Sequence, residues 1–337
     1  MSFPSRAHVD AALASLPSPD ADTLAAARER QGQLTKPPGS LGRLEEIALF
    51  FAGWQGVERP VLTNARALVF AGNHGVAAQG VSAFPPEVTA QMVANFAAGG
   101  AAINALSREA GLDLRVTPIM LDRPTADFTQ GPAMSEHECL AAMSIGADAV
   151  EPSLHVIVVG EMGIGNSTAA AALAARAFGG TAADWVGPGT GLDRAGVARK
   201  ADVVARALAF HDAAPRDPVE TLRRLGGREI AAIAGAVLRA RQIGVPVILD
   251  GFISCAAITS LAAAVPAIVD HCIAGHCSAE PGHARLLDRL GLDPILRLDM
   301  RLGEASGGVV AALIVRAALA AHAGMATFAE AGVSAGA

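Results

Sequence analysis

An apolar run, Val156-Ile157-Val158-Val159-Gly160, leads directly into Glu161-Met162-Gly163-Ile164-Gly165-Asn166-Ser167-Thr168 and then into an alanine-rich helical stretch. Short β-branched runs that are apolar on both faces belong to parallel sheets covered by helices, and such sheets bind ligands beyond the carboxyl ends of their strands. Glu161 is therefore expected at a ligand-facing strand end. The glycines beside it let backbone approach a ligand, and the amides of a helix start capped by Asn166 or Ser167 favour an anion. Taken alone, a tight strand-to-helix turn explains the same residues equally well.

Similar runs recur at 67–72, 114–121, 154–160, 184–187, 245–251, 267–275 and 295–300, with helical patterns between most of them. That alternation predicts an α/β fold, a parallel sheet with helices on both faces joined by right-handed crossovers. Periodicity up to about Val57 is helical without a strand, and one more helix, about 305–322, follows the last strand. The simplest arrangement is a large α/β domain at 61–304 and a smaller helical domain built from both ends, 1–60 and 305–337. Residues 331–337 are small and expected to fray.

Of the 337 residues, 52% are hydrophobic, enough for a large core, and a net charge of −6 gives no global attraction to nucleic acid or an anionic membrane. The N-terminus lacks the apolar core of a secretory signal or anchor. The least polar window, 252–269, is uncharged but holds Ser254, Thr259, Ser260 and Pro266, which predicts a buried helix rather than a membrane span. Cys139, Cys255, Cys272 and Cys277 follow no disulfide pattern and suit a reducing cytoplasm.

Lys36 and Lys200 are the only lysines, so each is a candidate point charge for a phosphate or carboxylate, or a solvated surface residue. Lys36-Pro37-Pro38-Gly39-Ser40 reads as a rigid turn into a helix capped by Ser40, and Lys36 with Arg43 can close over an acidic ligand. After the first strand comes His74, a proton-transfer candidate or a hydrogen-bonded core histidine. Beyond it, Ser82 and Gln91 among Phe84, Met92 and prolines suit a flat aromatic ligand. Gly187-Pro188-Gly189-Thr190-Gly191 can cradle a phosphate, yet it is neither a P-loop nor a dinucleotide fingerprint. His271, Cys272, His276, Cys277 and His283 match no standard zinc spacing, and Ser278 among them is the better candidate for a phosphate or ribose. Glu304, beside Leu302 and small residues, is either a desolvated general base or a carboxylate favourable at a helix start.

Together, the segments 36–45, 72–91, 160–168, 187–193, 275–282 and 301–308, in this order, resemble the nicotinate-nucleotide:dimethylbenzimidazole phosphoribosyltransferase family over about 36–322. The resemblance implies a homodimer with a large, three-layer Rossmann-like domain and a small helical one. It also implies transfer of ribose 5-phosphate from nicotinate mononucleotide to 5,6-dimethylbenzimidazole, with inversion at the anomeric carbon and no cofactor or metal. By motif, Glu304 is the expected general base, and Glu161 the group serving the ribose or its developing charge. Gly163, Gly189, Lys200 and Ser278 are the expected phosphate and ribose contacts, with Asp250 nearby. Ser82, Gln91, Met162 and Leu302 are expected to wall the benzimidazole site. A metal-dependent hydrolase using the histidine and cysteine segment, and a nucleotide-binding regulator without chemistry, are the alternatives.

Overall fold

A computed structural model describes residues 2–334; part of the expected frayed end, 335–337, lies outside them. Among the described residues, six strands form one sheet in the order β2-β1-β3-β4-β5-β6: β1 (Ala65–Ala71), β2 (Asp113–Pro118), β3 (Val156–Met162), β4 (Val247–Leu249), β5 (Cys272–His276) and β6 (Pro294–Leu296). Every pairing is parallel, as the β-branched runs require. The order reverses between β1 and β3, and a crevice opens beyond strand carboxyl ends at such a point.

Alternation along the strands sends side chains into two cores. Leu68, Phe70, Ile157, Val159 and Leu249 join one, with the helices Glu136–Asp148, Asn166–Phe178 and Arg228–Gln242; Ala67, Val69, Val156, Val158 and Ile248 join the other, with Arg43–Gln55, Ala102–Ala110 and Ser306–Gly324. This is the three-layer architecture. Ser306–Gly324 is long and apolar enough by composition to cross a membrane, yet half of its apolar window is buried and it packs against β5 and the Arg43–Gln55 helix.

Four local expectations need correction. Residues 184–187 form no strand: Ala182–Asp184 is a 3-10 turn, and Trp185 and Val186 are buried without a ladder. The Trp185 indole donates to the Gly179 carbonyl at 2.8 Å, and Gly282 of the Pro281–Leu290 helix lies against the Trp185 backbone, so tertiary packing satisfies this short apolar run. The 252–269 window is not one helix but three short pieces, Phe252–Ala257, Thr259–Ala264 and Pro266–Val269: the Ile258 amide turns to the Ala256 carbonyl, and the Val265 backbone is extended ahead of Pro266. Ser40 does not cap its helix, which starts at Arg43 after Gly42 (φ 53°). Nor do Asn166 or Ser167 cap theirs: Gly165, in the left-handed region at φ 96°, is the cap and leaves the Asn166 side chain free to turn toward Glu161.

The chain ends meet. The Arg30 guanidinium donates to the carbonyls of His322 (3.0 Å), Ala323 (3.1 Å) and Met325 (2.9 Å), and Leu34 bridges Thr327. The first helix, Arg6–Ala14, instead packs toward the sheet's other side, where Arg6 pairs with Glu136, Asp217 and Glu220.

Candidate active site

One cavity lies beyond the carboxyl ends of β3, β4 and β5, closed on its far side by the 301–303 loop. Of the expected site residues it brings together Glu161, Met162, Gly163, Gly189, Asp250, Ser278 and Leu302, and adds Asn166, Ser167, His276, Glu280 and Arg301. Glu304 and Lys200 are buried just behind this lining. Ser82 and Gln91 are not lining residues: Gln91 is exposed, and the Ser82 hydroxyl accepts the Phe84 amide at 3.2 Å.

Glu161 is the penultimate residue of β3, paired across the ladder with Phe70. Asn166 donates to its carboxylate from the first turn of the next helix. Behind it, His74 Nε2 pairs with the buried Glu229, whose second oxygen has no partner. Burial, together with the charges of Glu229, Asp250 and Glu304, pushes the Glu161 carboxyl up to about 8.

Glu304 is held by backbone. Gly303, Glu304 and Ala305 run through the left-handed region at φ 82°, 61° and 64°, a conformation unfavourable for the last two and maintained by surrounding contacts. Those contacts are the Glu304 amide to the Glu161 carbonyl (3.2 Å) and the Ser306 hydroxyl to the Gly303 carbonyl (2.7 Å). Burial, then the charge of Asp250, pushes the Glu304 carboxyl up to about 7. A carboxyl in that range takes up a proton efficiently at neutral pH.

The glycine-rich loop after Val186 lies over Lys200, whose ammonium donates to Ser167 Oγ (3.1 Å) and the Gly187 carbonyl (3.0 Å). Burial lowers the affinity of Lys200 for its proton, and Glu280 opposes that. Glu280 Oε1 accepts the Gly189 amide at 2.9 Å, and Arg301 Nη1 donates to the Gly189 carbonyl at 3.1 Å. Ser278 Oγ lies 3.0 Å from His283 Nδ1; burial holds His283 near 3, so the ring is neutral. Lys36, by contrast, is committed to Glu45 at 2.8 Å, and Arg43 to Glu46 on the surface.

His271 and His283 face different partners, the Val237 carbonyl and the Ser278 and Cys255 side chains. Among the described residues no group of three or more histidine, cysteine, aspartate or glutamate side chains is arranged to hold a metal ion.

A family model described as a phosphoribosyltransferase matches residues 16–333. The chain belongs to that family. It is 68% identical over 334 residues, 99% of each chain, to the nicotinate-nucleotide--dimethylbenzimidazole phosphoribosyltransferase of Novosphingobium aromaticivorans, and 59% identical over 325 residues, 96% of each, to that of Jannaschia sp.. The crystal structure of CobT from Thermus thermophilus superposes with a TM-score of 0.87 at 42% identity, covering 94% of this chain and all of that one. Within this phosphoribosyltransferase the cavity gathers an acidic half, Glu161 and Asp250 with Glu304 behind them, and a glycine-rich half in which Gly189, Ser167 and Glu280 surround Lys200.

Sequence reasoning missed Glu229 and Glu280. Their partners lie 155 and 91 residues away in the chain, and neither sits in a pattern that distinguishes it from a carboxylate at a helix start.

Proposed function

We propose that this chain moves ribose 5-phosphate from nicotinate mononucleotide to 5,6-dimethylbenzimidazole, with Glu304 as general base. The supporting observation is a desolvated carboxyl, held near neutrality, at the edge of a cavity whose other half sets a glycine-rich loop and Ser167 over a buried lysine. One benzimidazole nitrogen forms the new bond to the anomeric carbon while the bond to the pyridinium nitrogen breaks, its electron pair leaving with neutral pyridine. The proton on the other benzimidazole nitrogen passes to Glu304. Attack from the face opposite nicotinate inverts the centre from beta to alpha. Glu161, steadied by Asn166 and holding its proton before the substrates bind, serves the ribose hydroxyls, and the positive charge that develops on the ribose favours its ionised form.

In this reading Gly163, Gly189, Lys200 and Ser278 hold the phosphate and ribose, and Met162 and Leu302 wall the base. Ser82 and Gln91 complete that wall if the 81–92 segment draws in over the bound base. In the proposed division 61–304 is the larger domain and the helices from both chain ends belong to a smaller part, of which Arg43–Gln55 and Ser306–Gly324 pack on one face of the sheet and Arg6–Ala14 on the other. The resemblance to the family supports a homodimer; four unbonded cysteines support a cytoplasmic setting, and the acidic balance supports the absence of nucleic acid or membrane partners.

Purified protein given nicotinate mononucleotide and 5,6-dimethylbenzimidazole should release nicotinate together with an alpha-linked ribazole phosphate; folded protein that yields neither would refute the proposal. Lys200→Ala should raise the KM for the nucleotide about 10- to 100-fold, the usual scale for a hydrogen bond to a charged group, and leave that for the base nearly unchanged. Equal losses for both substrates in steady-state kinetics would remove Lys200 from the phosphate site.

A further inference from the structure

Asp250 and His276 are buried side by side at the ends of β4 and β5, and the transfer step above uses neither as acid or base. Asp250 Oδ1 accepts the Gly308 amide at 2.8 Å and lies 3.7 Å from His276 Nε2. The His276 ring fills the space beside Gly307 so closely that a Cβ there would overlap it, and its Nδ1 has no partner. Aspartate and histidine therefore grip the first turn of the Ser306–Gly324 helix, which begins two residues after Glu304. First-turn amides have no partner within their own helix, and a buried carboxylate set on one of them fixes where the helix starts. With that start fixed, the left-handed Glu304-Ala305 step has one place to be.

We propose that Asp250, backed by His276, is the positioning residue for Glu304: it locks the helix start that aims the Glu304 carboxyl and sets a second carboxyl group beside it. The inference rests on Glu304 being the base. The ionisable groups gathered around this end of the cavity are Glu161 from β3, Asp250 after β4, His276 from β5 and Arg301 from the same loop as Glu304, with Glu229 behind Glu161. Burial raises the proton affinity of Asp250 itself, opposed by His276 and by the amides of Gly308, Gly307 and Ala305, and the charge of Asp250 raises that of Glu304 in turn. The role of Asp250 as a ribose contact is the rival assignment, and kinetics separates the two.

Asp250→Asn keeps an oxygen for the Gly308 amide but removes the charge. In the full-length protein, the acid limb of the kcat/KM profile should move down by about one pH unit, with kcat about tenfold lower and the nucleotide KM unchanged. Asp250→Ala, which also leaves the Gly308 amide unpaired, should shift the limb equally and cost roughly another tenfold in kcat. A limb that stays in place in Asp250→Asn, or a loss confined to the nucleotide KM, overturns the proposal. The Glu304→Gln variant tells the two failures apart: if it is inactive while the Asp250→Asn limb is unmoved, only the positioning role falls. If Glu304→Gln turns over normally, the base assignment falls and the positioning role with it.

Discussion

Glu304→Gln should fold, bind nicotinate mononucleotide and lose about two to four orders of magnitude in turnover, the scale on which general-base removal acts. The amide matches the carboxylate in shape, so the left-handed step, the Ser306 to Gly303 contact and the Gly308 to Asp250 hydrogen bond all persist. What disappears is the proton acceptor. For the unaltered protein, a carboxyl held near 7 means that kcat/KM climbs as pH rises toward 7 and the base loses its proton. The variant should be flat across that interval, because an amide does not titrate there. Near-normal turnover at neutral pH would exclude Glu304 as the base, and a persisting acid limb would assign that limb to another group.

Gly160→Ala should disable the same step without touching an ionisable side chain. Gly160 sits in β3 between Val159 and Glu161, and a Cβ there would overlap the amide nitrogen, Cα and Cβ of Ala305. Since the clash is with backbone, no rotamer relieves it: either the 303–305 segment withdraws or β3 shifts in the middle of the sheet. Overpacking of this kind costs about 1–3 kcal/mol of stability, seen as a lower Tm. A displacement of the base by about 1 Å costs roughly a hundredfold in turnover. The loss should fall on kcat more than on the nucleotide KM. A variant with ordinary Tm and turnover would show that the strand and the loop have more freedom than their contact implies.

The parallel sheet was legible because its signal is local: the inner strands β1, β3, β4 and β5 are buried, mostly apolar runs, while the edge strands β2 and β6 are partly exposed, and the helices between them have their own period. Glu161 was legible for a related reason, since it ends an apolar run and precedes a helix; Glu304, eight residues past the last strand, was singled out by the resemblance of its 301–308 segment. Illegible were contacts made across the fold. Trp185 and Val186 read as a strand because burial, not pairing, makes a run apolar. The helix caps failed because glycines at positive φ took the positions expected of Ser40 and Asn166. Asp250 read as a ligand contact, and nothing near it in the chain shows that its oxygen faces an amide 58 residues away.

The clasp between Arg30 and the carbonyls of His322, Ala323 and Met325 makes the two ends of the chain part of one lever. The helix that ends at this clasp begins just after Glu304, so whatever is fastened to residues 322–327 acts through a single rod on the Glu304 carboxyl. Extending or trimming the protein is therefore not neutral handling at either end. A fusion partner at the C-terminus, or removal of the Ala21–Gln33 helix, changes the anchorage of the rod and with it the aim of a group at its opposite end.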